Sequence, residues 1–240
     1  RMPVVVVGGG LTAIDTATEA LAYYVRQVEK FLARFDRLVD ELGEETVRAL
    51  WSASEAEIAD EYLAHARLLG EERERAAATG REPCFNELLN DWGGAVIAYR
   101  RRMTAAPSYR LSHEEVARAM EEGIRFAELL APIEVEVDQY GQAKAIRLAR
   151  QKINADGQPE PTGEVVVIPA RAILVAAGTL PNTVLARQDP GFAAMDGKYF
   201  QAVDEAGVKV TPEKLTKPEI PQVLMRLTGD GRAISFFGDL

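Results

Sequence analysis

The order of apolar and polar positions divides the first part of the chain into a buried strand, a long helical region and a second buried strand. Residues 4–7 are four valines, which are stiff at χ1 and typical of a strand covered on both faces of a parallel sheet. Helical spacing begins after Gly10 and runs to Gly43, a residue type that commonly ends a helix. Residues 44–91 show no strand-like alternation, and residues 95–99 (AVIAY) form the next apolar run.

The region between the two strands is rich in Ala, Glu, Arg and Leu, which favours helices. Ser54 and Glu57 have the spacing of a capping box, and this predicts a second long helix over residues 55–78. In an ordinary mononucleotide-binding fold the second strand ends roughly 20 residues after the first turn. Residues 22–92 are therefore interpreted as a helical insertion, with the two strands still neighbours in one sheet.

The remainder of the chain contains shorter elements. Ser112 and Glu115 form another capping-box pair, which predicts a helix over residues 114–122. Apolar and charged residues alternate over 143–152, as in an antiparallel strand with one face in water, and a hairpin partner is expected after the polar turn that follows. The apolar run 172–177 is expected to be a return strand, which completes an α/β unit.

Three glycines follow the valine strand directly. The spacing Gly8-x-Gly10-x-x-Ala13 matches the dinucleotide-binding fingerprint in its G-x-G-x-x-A form. In that fingerprint Gly8 permits the sharp turn, Gly10 lets a pyrophosphate approach the backbone, and Ala13 lets the helix pack close to the strand. A glycine-rich turn can also serve only to pack a helix, but the strand before it and the helix after it favour nucleotide binding.

The second strand ends in Tyr99, Arg100 and Arg101. This end of the strand lies beside the adenosine ribose in a mononucleotide-binding fold. An acidic residue there would accept the ribose 2′-OH of NADH, whereas the planar fork of an arginine fits the 2′-phosphate of NADPH. The sequence therefore favours NADPH over NADH, and the alternative is a solvated basic strand end.

Composition and charge exclude several classes of partner. The net charge is −9 and the pI is near 5.0, which argues against nucleic acid or an anionic membrane surface as a partner. No apolar run approaches the roughly 18 residues of a membrane span, so we expect a cytoplasmic protein. A single cysteine, Cys84, excludes a disulfide, a CxxC redox pair and a thiolate iron–sulfur site within this chain.

No arrangement of titratable side chains indicates acid–base catalysis or a metal site. His65 and His113 are expected to be surface residues, and Cys84 is expected to be a small core residue. We therefore assign no catalytic residue and no metal ligand.

Four stretches occur in order along the chain: GGGLTAIDTA, AYRR, ILVAAGTLPN and FFGDL. Together they resemble the NAD(P)H-binding domain of the FAD-dependent pyridine nucleotide-disulfide oxidoreductase superfamily, and most closely the small (beta) subunit of glutamate synthase and its relatives. The likeness extends over residues 95–148 and leaves out residues 23–92.

The resemblance implies a Rossmann-like three-layer fold, in which a parallel sheet carries a small antiparallel β-meander. It assigns residues 1–21 and 93–183 to the NAD(P)H-binding domain, residues 22–92 to a helical insertion, and residues 184–240 to a partial C-terminal segment of the FAD domain. On this reading the chain is a domain excised from a longer protein.

The resemblance also implies a set of cofactor-binding residues. Those at the glycine turn line the pyrophosphate, the two arginines meet the 2′-phosphate, Gly178 marks the point where the chain leaves the nucleotide domain, and Asp239 hydrogen-bonds FAD. The candidate residues are Gly8, Gly9, Gly10, Leu11, Thr12, Ala13, Tyr99, Arg100, Arg101, Gly178 and Asp239.

The function implied by the resemblance is transfer of a hydride from NADPH to FAD, with the electrons passing to a partner subunit or an iron–sulfur centre. The missing FAD-binding half would belong to the same protein, and no turnover is expected from this chain alone. One alternative is a self-contained dehydrogenase, but no Tyr–Lys, His or Cys constellation for it is visible. Another is a non-catalytic module whose helices over residues 22–92 dock a further subunit.

Overall fold

The computed structural model divides the chain into two compact units, Arg1–Ala177 and Gly178–Leu240. The structure describes residues 1–178, 182–188, 195–203, 208–209, 224–226 and 233–235. Elements of the first unit are, in order, β1 (Val4–Val7), α1 (Leu11–Leu42), α2 (Glu44–Ala49), α3 (Ala53–Thr79), α4 (Asn86–Asp91), β2 (Ala95–Tyr99), a short 3₁₀ helix (Met103–Ala105), α5 (Pro107–Glu121), β3 (Arg125–Glu128), β4 (Leu130–Val137), β5 (Ala143–Ile153), β6 (Pro159–Pro169) and β7 (Ala172–Val175).

The described part of the second unit contains one short helix and five short strands. These are α6 (Val184–Gln188), β8 (Met195–Asp196), β9 (Tyr199–Phe200), β10 (Ala202–Val203), β11 (Leu224–Arg226) and β12 (Ala233–Ser235). β8 and β9 form an antiparallel pair, and β10, β11 and β12 form an antiparallel sheet in that order.

A four-stranded parallel sheet organises the first unit, in the order β3-β2-β1-β7. Val4 pairs with Ala95 of β2 on one side and with Ala172 of β7 on the other, so the predicted pairing of the first two strands is confirmed. Val5 and Val6, at the centre of β1, are both fully buried because each face of the sheet is covered. The continuous valine run therefore reflects burial on both sides.

The two faces of this sheet carry different layers. On one face α1 and α5 pack against Val6 and Ile97 in the largest apolar cluster of the described residues. On the other face β4, β5 and β6 form an antiparallel meander, whose Leu148 packs with Val5 in a second cluster. The α/β class predicted from the sequence, a parallel sheet with a small antiparallel meander, is confirmed.

The helical region between β1 and β2 extends far beyond an ordinary crossover. α1 has 32 residues and ends where Gly43 adopts φ +80°, a left-handed conformation that glycine favours. α3 has 27 residues and packs along α1. Phe35 stacks on Trp51 with ring centroids 5.8 Å apart, which closes an apolar cluster between α1, α2 and α3.

The capping box of the second long helix lies two residues before the predicted position. Ser52 accepts a hydrogen bond from the Glu55 amide, and the Glu55 carboxylate accepts one from the Ser52 amide. The prediction of Ser54 and Glu57 was wrong because two overlapping S-x-x-E pairs occur here. The Ser54 hydroxyl instead accepts a hydrogen bond from the Gln142 side chain at 2.7 Å.

His65 was expected at the surface, and this prediction was wrong. Its ring stacks on Trp92 with centroids 3.8 Å apart, and its Nδ1 lies 2.7 Å from the Tyr24 hydroxyl. Burial lowers the pKa of His65, and burial also raises the pKa of Tyr24. The three side chains tie the helical region to the start of β2. His113 is exposed, as predicted.

Cys84 is exposed, which contradicts the prediction of a core residue. It lies in the segment after α3, where its backbone amide donates a hydrogen bond to the Glu72 carboxylate. Glu72 is buried and also pairs with Arg81 at 2.6 Å and with Arg75 at 3.3 Å. This carboxylate therefore fixes the chain reversal between α3 and α4.

Among the described residues, no helix combines the length and the apolar character needed to cross a membrane.

The first prediction concerns Glu72. Hydrogen bonds from Arg81 and from the Cys84 amide lower the pKa of Glu72 to about 2, below its value in an unfolded chain. The ionised carboxylate therefore stabilises the fold at neutral pH, and this contribution is lost as the pH falls from about 4.5 toward about 2. Glu72→Gln is expected to lower the free energy of unfolding at pH 7, measured by urea titration, and to differ less from the parent chain at pH 3.

The matched control is Glu71→Gln, because Glu71 is the exposed neighbour of Glu72 in the same helix. We expect Glu71→Gln to leave the urea midpoint unchanged at both pH values. Equal midpoints for Glu72→Gln and Glu71→Gln at pH 7 would contradict the structural role of the Glu72 carboxylate.

Candidate functional site

The glycine turn lies at the carboxyl ends of the parallel strands, where ligands bind in open α/β sheets. β2 lies on one side of β1 and β7 on the other, so the strand order reverses at β1. The turn borders a narrow cleft, whose walls also include Tyr99, Met103, Ser108 and Glu128. The structure thus brings the glycines and the end of β2 to one place, as predicted.

Gly8 is required by the packing of the strand ends. A Cβ at this position would lie 2.3 Å from the carbonyl oxygen of Ala176 and 3.1 Å from the Cβ of Ala13. The first neighbour is backbone of the chain that follows β7, which hydrogen-bonds to β1 through Ala176 N and Val7 O. Only glycine therefore lets the two strand ends and the start of α1 meet this closely. Ala13 itself is fully buried.

The Tyr99 ring fills the space that a side chain on Gly9 would need. A Cβ on Gly9 would lie 2.4–2.7 Å from three ring carbons of Tyr99. The Tyr99 ring therefore packs against the backbone of the turn and closes that side of it. In this structure Tyr99 is a wall of the cleft.

Gly10 differs from the other two glycines. A Cβ there would meet no atom of the described residues within 4 Å, and any residue can adopt its φ of −94° and ψ of 176°. Gly10 is also the N-cap of α1, which has no side-chain cap and no acidic residue in its first turn. The amides of Gly10, Leu11 and Thr12 make no hydrogen bond to the part of the chain that the structure describes.

The two predicted arginines have different surroundings. Arg100 is exposed and forms no hydrogen bond or ion pair with any residue that the structure describes. Arg101 donates hydrogen bonds to the Gly157 carbonyl at 3.2 Å and to the Gln158 side chain at 2.8 Å, both in the turn between β5 and β6. Arg100 is thus the more available cation, and Arg101 holds the meander against the end of β2.

The segment after β2 folds over the glycine turn, which the sequence did not predict. Ser108 donates two hydrogen bonds to the Gly9 carbonyl, from its backbone amide at 3.1 Å and from its hydroxyl at 3.0 Å. The Glu128 carboxylate accepts a hydrogen bond from the Met103 amide and anchors the same segment to the end of β3.

α5 begins seven residues before the predicted start of this helix. It opens at Pro107, and the backbone departs from helical geometry at Ser112, with φ −156° and ψ 62°. The capping-box pattern at Ser112 therefore coincides with a break inside the helix. Proline at a first helical position was the signal for the true start.

The remaining candidate residues fall at or beyond the end of the first unit. Gly178 is exposed and adopts φ +118°, in the left-handed region that favours glycine. Asp239 lies outside the described residues. Among the residues that are described, no group of three or more His, Cys, Asp or Glu side chains is placed to hold a metal ion.

A search with protein-family models finds no match. An uncharacterized protein of Rickettsia prowazekii (strain Madrid E) is 32% identical over 218 residues, which cover 86% of this chain and 28% of that protein. The chain thus spans less than a third of the length of this relative, whose description names no activity.

Similar solved structures include reductases of low sequence identity. A thioredoxin reductase from T. acidophilum matches with a TM-score of 0.42 and 13% identity, over 87% of this chain and 41% of that chain. A thioredoxin reductase from Streptococcus pyogenes matches with a TM-score of 0.36 and 11% identity, over 80% of this chain and 36% of that chain. A ferredoxin reductase from Rhodopseudomonas palustris matches with a TM-score of 0.32 and 15% identity, over 78% of this chain and 26% of that chain. These scores are too low to bear on function, so the site must be interpreted from its own geometry.

The second prediction separates Gly8 from Gly10. Gly8→Ala is expected to lower the free energy of unfolding by about 1–3 kcal/mol, because its Cβ meets a backbone carbonyl that cannot move without displacing β7. Gly10→Ala is the matched control and is expected to change stability by less than about 0.5–1 kcal/mol, since its backbone is extended and its surroundings are open. Urea unfolding measures both, and equal effects would contradict this division.

Proposed function

We propose that residues 1–177 include the NADPH-binding part of an FAD-dependent oxidoreductase. The observation that carries the proposal is Gly10, a glycine that neither its backbone conformation nor its packing against the described residues requires. No atom of the described residues lies within 4 Å of the Cβ that a larger residue would carry there, so the backbone of Gly10 is open to a ligand. Close approach of a ligand to the backbone is the ordinary reason for glycine at such a place.

The free amides at the start of α1 indicate the charge of that ligand. Three successive backbone N–H groups, from Gly10 to Thr12, have no partner among the described residues, and no carboxylate of the first turn neutralises the helix dipole. A helix start of this kind favours an anion. Together with the position of the turn at the carboxyl ends of the parallel strands, these features fit the pyrophosphate of a dinucleotide.

The end of β2 supports the preference for NADPH. Arg100 is exposed there without an ionic partner among the described residues, and its planar donors suit a phosphate. The nearby carboxylate of Glu128 already accepts a hydrogen bond from the Met103 amide. We therefore assign the 2′-phosphate to Arg100 first, with Arg101 acting mainly through the β5–β6 turn.

The chain's own contribution would be binding and orientation. A bound nicotinamide supplies hydride chemistry, and a flavin would be held largely by chain outside these 240 residues. The glycine turn would hold the pyrophosphate, Arg100 the 2′-phosphate, and no side chain of the described residues need move a proton. Residues 22–92 would be an insertion in this domain, and residues 184–240 a segment of the FAD domain.

One observation favours a second candidate, a module that docks another subunit. Apolar side chains are exposed near the end of the helical region that lies away from the sheet, with Leu50 74%, Leu42 51% and Leu38 43% exposed. In this candidate the nucleotide site is vestigial, so the glycine turn would hold no ligand. Nucleotide titration separates the two candidates.

The third prediction tests the role of Gly10. Gly10→Ala is expected to weaken NADPH binding at least tenfold, because its methyl group would occupy the space that the pyrophosphate approaches. Calorimetric titration measures the affinity, and urea unfolding shows that the variant is folded. Unchanged NADPH affinity in folded Gly10→Ala, or no binding of NADPH or NADH to the parent chain, would contradict the proposed function.

The fourth prediction separates the two arginines. Arg100→Ala is expected to weaken NADPH binding roughly 10- to 100-fold, the range for a lost charge-assisted contact, and to leave NADH binding unchanged. Arg101→Ala is expected to weaken both nucleotides to the same smaller extent, since its contacts are with Gly157 and Gln158. Parallel titrations with NADPH and NADH measure the ratio. A loss of NADPH selectivity in Arg101→Ala alone would reverse the assignment.

A further inference from the structure

We infer that Ser108 is a positioning residue that fixes the direction of the peptide between Gly9 and Gly10, and so aims the Gly10 amide at the ligand. The inference rests on the proposed function, because it concerns the same glycine turn. Neither the fingerprint spacing nor the predicted strand ends include Ser108, which lies about a hundred residues along the chain from the turn.

Ser108 is buried and makes two hydrogen bonds to the glycine turn. Ser108 is 1% exposed, and both its backbone amide and its hydroxyl donate to the Gly9 carbonyl oxygen. Pro107, the first residue of α5, has no N–H group, and the N-cap residue Ala106 has no side chain that could accept a hydrogen bond. The Gly9 carbonyl therefore takes the place of a capping side chain for α5.

The direction of the Gly10 amide follows from peptide geometry. The C=O of Gly9 and the N–H of Gly10 belong to one planar unit, and in a trans peptide they point in opposite directions. Because the carbonyl points at Ser108, the N–H of Gly10 points away from α5. This N–H has no partner among the described residues, and none of their atoms lies within 4 Å of a Cβ built on Gly10.

This peptide needs an external restraint more than most. It joins two glycines, which have the widest range of backbone conformations, so it can rotate at little cost when nothing holds it. Rotation would turn the Gly9 carbonyl toward the ligand side, where its negative end would repel a pyrophosphate. The Ser108 hydroxyl adds a second hydrogen bond that holds the binding-competent direction before a ligand arrives.

Two readouts distinguish positioning from a purely structural cap. Ser108→Ala keeps the backbone amide and removes the hydroxyl, and we expect it to weaken NADPH and NADH roughly threefold to tenfold and by the same factor, because the pyrophosphate is common to both. A structural cap alone would lower the urea midpoint and leave both affinities unchanged. Ser112→Ala is the control in the same helix, since no hydrogen bond joins Ser112 to Gly9, and it is expected to leave both affinities unchanged.

A second variant and a ligand-free measurement complete the test. Ser108→Cys keeps a weak donor of similar size and is expected to show affinities between those of the parent chain and of Ser108→Ala. Crystals of ligand-free Ser108→Ala should show the peptide between Gly9 and Gly10 rotated or in two conformers. Unchanged affinities with an unchanged peptide would overturn the inference. Absence of nucleotide binding to the parent chain would contradict the proposed function, whereas the ligand-free peptide would still decide the role of Ser108.

Discussion

The close approach of the Gly8 backbone to the Ala176 carbonyl is the constraint on which the rest of the site depends. It brings the end of β1 against the chain leaving β7, and Ala13 continues this contact into the first turn of α1. With this start of α1 fixed beside the sheet, the amides of Gly10, Leu11 and Thr12 lie near the carboxyl ends of the strands and have no partner among the described residues. A larger residue at Gly8 would displace the strand end and the helix together.

The three consecutive glycines have different surroundings. Gly8 is small because of the backbone at Ala176, and Gly9 because of the Tyr99 ring, whereas no atom of the described chain limits Gly10. Two helix starts also meet at this turn. At the start of α5 the Gly9 carbonyl accepts hydrogen bonds from the Ser108 amide and hydroxyl, whereas the first amides of α1 have no partner among the described residues. This asymmetry, more than the number of glycines, supports the proposed anion site.

Local patterns along the chain were enough to predict much of the fold. The valine run, the Gly43 stop and the AVIAY run gave β1, the end of α1 and β2, because burial and backbone conformation are encoded at the residues themselves. Contacts across the fold were not predictable in this way. The pairing of Arg101 with the β5–β6 turn, the stacking of His65 on Trp92 and the clamp of Ser108 on Gly9 each join residues distant in sequence. The choice between the two overlapping S-x-x-E pairs also depends on a distant residue, because the Gln142 side chain donates a hydrogen bond to the Ser54 hydroxyl.

The most direct test of the central claim is to follow the backbone amides of the isotope-labelled chain by NMR while NADPH is added. The account predicts saturable shifts of the Gly10, Leu11 and Thr12 amides, together with Arg100 at the end of β2. NADH should move the three turn amides without moving Arg100. Saturable shifts confined to the helices of residues 22–92, or no shift at the turn at any NADPH concentration, would contradict a dinucleotide site at the start of α1.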